Sequence, residues 1–345
     1  MPTNKPILVV KFGTASITLP TGEPDEGILA EIARQVAVLH RRYHIIIVSS
    51  GAVGAGKGQI QSYKGTLTQR KAAAAVGNPL LIGLYASHFQ PHQISIAQSL
   101  CERQHFANRH QFLQLKSTFE ELWASNIIPI VNENDVVSDR ELKFSDNDEL
   151  ATLIATGFGA QTLMLCTSVG GLMDDSGQIL RQVSEVNEVF RWVRTDKSSL
   201  GLGGMASKLT FTKLATRMGI RVVIFGLNEP DGLLRALQLE TGTVFHPQRS
   251  TLSARNRWLG SGGLVAGRLR IDDGAVRALQ SRHSLLAVGI LAVEGEFEAG
   301  ELVEIFNSEQ EMVAVARARA TSLAIVDNLK TLNFEVANAS DIVLL

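Results

Sequence analysis

Polar side chains crowd the start of an apolar helical pattern in the stretch SDNDELATLIA, residues 145–155. Asp146, Asn147, Asp148 and Glu149 stand at its boundary, where an N-cap and one acidic residue in the first turn are enough to stabilise a helix. Capping therefore accounts for one or two of these four side chains. The surplus predicts a polar site at the start of this helix.

A second polar cluster follows a predicted strand in the stretch IIPIVNEND, where Asn132, Glu133, Asn134 and Asp135 leave the strand end. Asp and Asn together suit a site that grips an ammonium group, hydrogen-bonds a small polar substrate and orients cations near phosphate. A calcium loop is the alternative, but the spacing D-x-[DN]-x-[DN]-G is absent. The two clusters therefore favour a small-molecule site.

Two lysines stand beside glycines at the ends of predicted elements. Lys11 closes an apolar strand in VVKFGTAS, with Gly13 next to it, and Lys208 lies in the first turn of a helix that follows the glycine run SLGLGGMASKL. A cation is unfavourable at a helix N-terminus unless an anion is also present, so the position of Lys208 suggests a bound phosphate. The alternatives are a strand-end lysine that reaches solvent and a plain loop with a solvated lysine.

The glycine-rich loop SSGAVGAGKG contains G-x-x-x-x-G-K from Gly51 to Lys57, which is the body of a phosphate-binding Walker A loop. Gly58 occupies the position where that motif has the Ser or Thr that holds Mg²⁺. The loop also follows the second predicted strand, and no clear second Walker signature comes after it. A true P-loop therefore remains an alternative chemistry.

Composition argues against several classes of function. The chain has 345 residues, a formal net charge of -1 and an isoelectric point near 6.7, so nothing global attracts nucleic acid or an anionic membrane. The sequence shows no signal-peptide pattern and no apolar run of membrane-spanning length. Cys101 and Cys166 lie far apart without metal-ligand spacing, which indicates ordinary core thiols. We expect a soluble cytoplasmic protein.

Strand and helix patterns alternate through most of the chain. Residues 7–12 and 44–50 are apolar runs that predict strands, and residues 27–42 and 147–158 carry apolar side chains at helical spacing. Such alternation predicts an α/β fold with an open, mostly parallel sheet sandwiched by helices. Ligands of such sheets bind at the carboxyl ends of the strands, which is where the polar clusters stand.

The sequence pattern changes after residue 250. The polar stretch TLSARNRWLG at residues 251–260 predicts a linker. Residues 261–345 contain short strand patterns separated by turns, with one short helix at GAVRALQ. We therefore predict a large α/β domain over residues 1–250 and a small, mostly β domain over residues 261–345.

Six motifs resemble those of the amino acid kinase family in order and spacing: VVKFGTAS, VSSGAVGAG, AAAAVGNPLL, IIPIVNENDVV, SDNDELATLIA and GLGGMASKL. The VNEND and DND elements are most similar to the branch of that family that phosphorylates glutamate. The stretches AGRLRIDDGAVRAL and SLLAVGILAVEGEFEAGELVEI resemble the PUA domain that many such kinases carry. The resemblance covers nearly the whole chain and implies an amino acid kinase fold followed by a PUA-like domain.

The resemblance implies ATP-dependent phosphorylation of the γ-carboxylate of L-glutamate to γ-glutamyl phosphate, the first step of proline biosynthesis. A carboxylate is already ionised at neutral pH, so this reaction needs no general base, and the candidate site has no obvious catalytic His. By resemblance, Lys11 and Lys208 flank the transferring phosphoryl group and Asp148 holds both lysines. Mg²⁺ is then held mainly by the ATP phosphates and organised by Asp148, with no direct protein ligand assigned.

The same resemblance implies the residues that bind substrate and nucleotide. Positions that match glutamate-binding residues are Ser50, Gly51, Ala52, Asp135 and Asn147. Positions that match ATP-binding residues are Lys11, Gly13, Thr167, Ser168, Leu202, Gly203, Gly204, Met205, Ala206, Ser207 and Lys208. Asp146 is a supporting residue or the helix cap.

Three positions depart from the family pattern. Ser168 stands where the family has Asp, Ser145 where it has Gly, and Leu202 where a small polar residue is common. These departures predict weaker ATP binding or a shifted nucleotide preference. Because Lys11, Lys208, Asp135 and Asp148 are all present, we still expect an active enzyme.

The sequence alone leaves two other functions open. A sister kinase would act on acetylglutamate, aspartate, carbamate or a nucleotide, but the acid at Asp135 suits a free α-ammonium group better than an acylated amine. An RNA-binding protein acting through the PUA-like domain is the other alternative. Residues 258–345 oppose it, with seven Arg and Lys against twelve Asp and Glu. The resemblance also implies a homo-oligomer and proline as a feedback inhibitor.

Overall fold

The computed structural model divides the chain into two compact units, Met1–Glu102 with Leu113–Ser250, and Arg103–Phe112 with Thr251–Leu345. The residues that the structure describes are 5–102, 104–107, 109–137, 147–184, 186–189, 204–248, 265–297, 299–300 and 302–344. The predicted linker at 251–260 lies outside the described residues, and the predicted domain division remains a proposal.

The first unit is built on one eight-stranded sheet with the order β3-β4-β2-β1-β5-β7-β8-β6. All neighbouring strands are parallel except β7 and β8, so the predicted mostly parallel sheet is confirmed. The strands are β1 (Ile7–Phe12), β2 (His44–Ser49), β3 (Ser95–Cys101), β4 (Ile127–Glu133), β5 (Thr162–Cys166), β6 (Gln182–Val183), β7 (Arg221–Phe225) and β8 (Thr243–Phe245).

Helices alternate with these strands along the chain. Local sequence fixes several of their ends: the Asp25 carboxylate accepts a hydrogen bond from Ile28 N at 3.1 Å, and the Thr66 hydroxyl accepts one from Gln69 N at 3.3 Å. The helices are α1 (Thr14–Ile17), α2 (Glu26–His40), α3 (Ala52–Gly56), α4 (Leu67–Phe89), α5 (Gln104–Ala107), α6 (Arg109–Ala124), α7 (Asn147–Phe158), α8 (Val186–Val189), α9 (Met205–Arg217) and α10 (Gly232–Leu237).

The centre of the first unit is buried on both faces of the sheet. Every side chain from Leu8 to Phe12 in β1 is buried, and Lys11 is the only charged member of that run. Helix α7 is buried on all sides from Asp148 to Thr156, so its apolar character serves the core and not a solvent-facing stripe. Cys101 and Cys166 are buried free thiols, as predicted.

The second unit is small and mostly β, as predicted. One sheet has the order β11-β9-β12-β13-β15, and β10 pairs with β14 in a second, two-stranded sheet. Its elements after residue 264 are β9 (Val265–Ile271), α11 (Asp273–Gln280), β10 (Leu285–Leu286), β11 (Ile290–Glu294), β12 (Leu302–Phe306), β13 (Met312–Arg317), α12 (Ser322–Asp327), β14 (Glu335–Ala337) and β15 (Ile342–Leu344). Of the helices that the structure describes in either unit, none is long and apolar enough to cross a bilayer.

Candidate active site

Polar residues gather where neighbouring parallel strands end at one edge of the sheet. Lys11 is the penultimate residue of β1, Ser50 follows β2, Asn132 and Glu133 end β4, and Thr167 follows β5. These strands are neighbours in the order β4-β2-β1-β5. Because parallel strands run in the same direction, their carboxyl ends meet at one edge, and side chains from distant parts of the sequence converge there.

Asp148 is the centre of this site and lies between two lysines. Its Oδ1 is 2.6 Å from Lys11 Nζ and its Oδ2 is 2.8 Å from Lys208 Nζ. The three residues are almost fully removed from solvent, with exposures of 0% for Asp148, 5% for Lys11 and 7% for Lys208. Asp148 lies in the first turn of α7 and Lys208 in the first turn of α9, so two helix N-termini contribute to one ionic cluster.

The charges of this cluster keep the Asp148 carboxylate ionised by lowering its pKa. Burial raises the pKa of Asp148, but the charges of Lys11 and Lys208 and their hydrogen bonds outweigh burial and hold that pKa below its ordinary value. Two ammonium groups beside two helix N-termini favour a further anion at this edge of the sheet, such as a phosphate.

Asn147 connects the ionic cluster to the loop after β2. Its Nδ2 donates to Ser50 Oγ at 2.8 Å and to Asn132 Oδ1 at 2.9 Å. Its Oδ1 is buried and has no hydrogen-bond partner among the described residues. A buried carbonyl oxygen without a donor is unfavourable by about 1 to 3 kcal/mol, so this atom is placed to accept a hydrogen bond from a ligand.

Asn78 extends the same network and was missed by the sequence analysis. Asn132 Nδ2 donates to Asn78 Oδ1 at 3.1 Å, and Asn78 is buried in α4. The residue lies in the motif AAAAVGNPLL, which carried the resemblance but received no role. In the structure, Asn78 shares the inward face of α4 with Ala74, Leu81 and Tyr85, where an apolar side chain is expected, so its polarity is informative only once the helix is known.

The Gly51–Ala52 loop is held by tight backbone packing. Gly51 has φ of +103° and precedes the short helix α3, which packs on α4 through Gly56 and Gly77. A Cβ atom on Gly77 would lie 1.7 Å from the carbonyl oxygen of Ala52, so only glycine fits there. The Ser50 backbone N–H also donates to the Phe12 carbonyl oxygen at 3.0 Å, which ties this loop to β1.

Two alanine substitutions on α4 test this packing. We expect Gly77→Ala to lower the free energy of unfolding by about 3 kcal/mol or more, because the new methyl group meets backbone atoms that cannot rotate away. Gly83 lies on the same helix, and a Cβ atom added to it would meet no other atom within 4 Å, so Gly83→Ala is the matched control. Gly83→Ala is expected to stabilise by about 0.5 to 1 kcal/mol through helix propensity. Urea unfolding of both variants measures the difference, and equal stabilities would contradict the packing argument.

The predicted nucleotide positions are only partly described. Thr167 N donates to the Phe225 carbonyl oxygen at 2.7 Å, and Asn228 Nδ2 donates to the Ser168 carbonyl oxygen at 2.8 Å, so the ends of β5 and β7 are joined. Gly204 is the N-cap of α9, and Met205, Ser207 and Lys208 form its first turn. The predicted residues outside the described part are Ser145, Asp146, Leu202, Gly203 and the side chain of Ala206.

The remaining predicted positions are placed as follows. A Cβ atom on Gly13 would lie 3.5 Å from Lys11 Nζ, so the Gly13 backbone runs beside that ammonium group. Asp135 lies in the turn after β4 and is partly exposed. Lys57, the lysine of the Walker-like loop, donates to the backbone carbonyl oxygen of Thr21. Its hydrogen bond therefore holds a loop, and its ammonium group is not part of the Asp148 cluster.

Comparison with known proteins supports the family resemblance. The model of the amino acid kinase family matches residues 6–226, and that of the PUA domain matches residues 267–331. A glutamate 5-kinase of Gloeobacter violaceus is 40% identical over 316 residues, covering 88% of this chain and 86% of the relative. A glutamate 5-kinase of Klebsiella pneumoniae is 36% identical over 330 residues, covering 92% of this chain and 90% of the relative.

Solved structures show the same fold at lower identity. Carbamate kinase from Giardia lamblia bound to AMP-PNP superposes with a TM-score of 0.52 at 16% sequence identity, covering 71% of this chain and 99% of that one. At this level of identity the likeness concerns the fold alone.

Proposed function

This chain belongs to the amino acid kinase family, and we propose that it transfers the γ-phosphoryl group of ATP to the γ-carboxylate of L-glutamate. The product is γ-glutamyl phosphate, and the reaction is the first step of proline biosynthesis. The observation that carries the proposal is the Asp148 carboxylate between Lys11 and Lys208, with Asn147 and Ser50 next to it. We assign the reaction to residues 1–250 and a PUA-like domain to residues 261–345.

The two lysines stabilise the charge that develops during transfer. The attacking carboxylate is ionised at neutral pH, so the barrier is the approach of an anion to a polyphosphate and not the removal of a proton. Ammonium groups held in place before the reaction stabilise charge on the phosphoryl oxygens without reorganising. Asp148 fixes Lys11 and Lys208 through one hydrogen-bonded carboxylate, because both of its oxygens are engaged by ammonium groups.

The amide and hydroxyl groups of the site suit the amino acid end of glutamate. Asn147 Oδ1 is a buried acceptor without a protein partner among the described residues, so it can accept a hydrogen bond from the substrate ammonium group. Asp135 supplies a negative charge for that ammonium group, and an acylated amine would lack the matching positive charge. Ser50 and the backbone N–H groups of Gly51 and Ala52 complete the proposed substrate positions.

ATP is proposed to bind between the end of β5 and the start of α9. Helix α9 offers backbone N–H groups and Lys208 for phosphate, and Thr167 and Ser168 lie at the neighbouring strand end. Leu202, Gly203 and Ala206 complete the predicted set by resemblance. Ser168 in place of the family's Asp remains the reason to expect an altered nucleotide affinity or preference.

Mg²⁺ is proposed to be held mainly by oxygen atoms of ATP. The Asp148 carboxylate does not suit direct ligation, because each of its oxygens lies within 2.8 Å of an ammonium nitrogen. Bound Mg²⁺ supplies neutralisation of phosphate charge, and the chain supplies the lysines that meet the transferred group. Asp148 contributes indirectly by keeping those lysines in place.

The proposed reaction is tested by trapping the acyl phosphate with hydroxylamine. With ATP and Mg²⁺, we expect hydroxamate from L-glutamate and at least about tenfold less from N-acetyl-L-glutamate or L-aspartate, since discrimination by buried polar groups is large. Chelation of Mg²⁺ is expected to abolish the signal. Equal signals from all three acceptors would favour a sister kinase, and no signal from any would reject the proposed function.

Further properties are proposed from the family resemblance alone. We propose a homo-oligomer, inhibition by proline added to the hydroxylamine assay, and a cytoplasmic location. Nucleic acid remains the less favoured partner because residues 258–345 carry excess acidic charge. RNA binding that weakens with rising salt would reverse that assignment.

A further inference from the structure

Three asparagine side chains form one continuous chain of hydrogen bonds from α7 to α4. Asn147 Nδ2 donates to Asn132 Oδ1 at 2.9 Å, and Asn132 Nδ2 donates to Asn78 Oδ1 at 3.1 Å. Asn78 and Asn132 are buried, with exposures of 5% and 6%. We call this set of three side chains the amide relay. It begins beside Ser50 and ends at Asn78.

A backbone group fixes the direction of the amide relay. The N–H of Glu133 donates to Asn132 Oδ1 at 2.9 Å, and a backbone N–H cannot accept. The atom of Asn132 at that position is therefore the carbonyl oxygen, and the amide nitrogen of Asn132 points to Asn78. Asn78 must then present its oxygen to Asn132, and Asn147 must present its nitrogen.

The two ends of the amide relay consequently have opposite polarity. Asn147 uses its nitrogen on Asn132 and Ser50, which leaves its Oδ1 as an acceptor, and Asn78 uses its oxygen, which leaves its Nδ2 as a donor. Both of these end atoms are buried and have no partner among the described residues. Each unpaired atom is unfavourable by about 1 to 3 kcal/mol, so a ligand that pairs with both gains binding energy.

A free amino acid has the matching pair of groups. Its ammonium group donates only and its α-carboxylate accepts only. Building on the proposed function, we propose that Asn78 is a further substrate-binding residue whose Nδ2 donates to the α-carboxylate of the amino acid, while Asn147 Oδ1 accepts from its ammonium group. The amide relay thereby distinguishes a complete amino acid from a substrate that lacks either group.

Two substitutions of Asn78 distinguish binding of the α-carboxylate from a purely structural role. Asn78→Asp keeps an oxygen that accepts from Asn132 and loses the Nδ2 donor, whereas Asn78→Ala loses both. If Asn78 only supports Asn132, the alanine variant loses activity toward glutamate and toward 4-aminobutanoate alike, so its preference between these two substrates is unchanged. If Asn78 binds the α-carboxylate, both variants lose activity toward glutamate, and the loss lies in the KM for glutamate and not in the KM for ATP.

The substrate comparison uses 4-aminobutanoate, which lacks the α-carboxylate, and the α-amide of glutamate, in which an uncharged amide that both donates and accepts replaces it. In the hydroxylamine assay at pH 8 we expect the kcat/KM preference for glutamate over 4-aminobutanoate to fall about 10- to 10²-fold in both variants, the effect of one hydrogen bond to a charged group. In Asn78→Asp, the preference for glutamate over its α-amide is expected to fall further than in Asn78→Ala. Unchanged preferences in folded variants would overturn the proposal.

Failure of this inference is distinguishable from failure of the proposed function. Wild-type protein that makes no hydroxamate from glutamate contradicts the proposed function itself. Active wild-type protein with unchanged preferences in both variants contradicts only the role of Asn78. If the variants do not fold, ¹⁵N-labelled wild-type protein gives the answer: the Asn78 side-chain amide resonance must shift with glutamate and stay unshifted with 4-aminobutanoate.

Discussion

Lys11→Ala is expected to lower kcat by about 10²- to 10³-fold, the effect of removing one preorganised group that stabilises transition-state charge. The Lys11 ammonium group lies 2.6 Å from Asp148 and beside the Gly13 backbone, so it is fixed before substrate binds. Because its interaction strengthens as charge builds on the phosphoryl oxygens, the loss should appear in kcat more than in the KM for glutamate. Steady-state rates of hydroxamate formation measure it.

Lys57→Ala is the matched control for this substitution. Lys57 belongs to the Walker-like loop, but its ammonium group donates to a carbonyl oxygen of Thr21 and is absent from the Asp148 cluster. We expect its kcat to stay close to the wild-type value. A Lys11→Ala variant within about threefold of wild type would reject the role of Lys11. A large loss in Lys57→Ala would instead revive the P-loop interpretation.

Asp148→Asn is expected to lower the free energy of unfolding by about 3 to 5 kcal/mol at pH 7, the usual effect of removing one partner of a buried ion pair. The substitution keeps the shape of the side chain but leaves the ammonium groups of Lys11 and Lys208 buried without this counter-charge. Urea unfolding measures the change. Adding Lys208→Met to Asp148→Asn should recover part of the stability, because one of the two buried cations is then removed.

The pH dependence of stability provides a second test of the ionised Asp148 carboxylate. Its folded-state pKa lies below the unfolded-state value of about 3.9, so its stabilising contribution is complete above that value. This contribution is lost as the pH falls from about 3.9, the unfolded-state pKa, through the folded-state pKa. We therefore expect the stability difference between wild type and Asp148→Asn to shrink on acidification below about pH 4. A difference that stays constant over that range would contradict the ionised state of Asp148.

The control for this pH effect is Asp174→Asn. Asp174 also has a lowered pKa, because its carboxylate accepts hydrogen bonds from the Ser176 hydroxyl and from the backbone N–H groups of Ser176 and Gln178. It is partly exposed, so water solvates either form of the side chain. Its substitution is expected to change stability far less than Asp148→Asn at every pH.

Local patterns were sufficient to single out the three residues of the ionic cluster, and the family resemblance supplied their arrangement and roles. Lys11 closes an apolar run, Lys208 opens a helix after a glycine run, and Asp148 opens an apolar helix, so each departs from its surroundings in a way that the sequence displays. The bounds of β1 and α7 also agree with the predicted ranges 7–12 and 147–158. For the three charged residues and for the bounds of β1 and α7, the pattern lies within a short run of consecutive residues, where periodicity and capping are informative.

The features that sequence analysis missed depend on contacts between distant segments. Helix α4 was not predicted, because Gly77, Asn78 and Pro79 together indicate a turn and apolar residues occur on several of its faces. The role of Asn78 requires knowing that α4 lies next to the end of β4. No pattern within α4 identifies Asn132 as its hydrogen-bond partner, so this half of the site appears only in the folded structure.

The strand order also governs when the site is completed during synthesis. Strand β1 is made first and pairs with both β2 and β5, so it ends in the middle of the sheet. Its Lys11 side chain has no Asp148 until the ribosome has made α7, and an ammonium group without a counter-charge is strongly favoured to stay in water. The ionic cluster can therefore form only after β1, α7 and α9 have all been made.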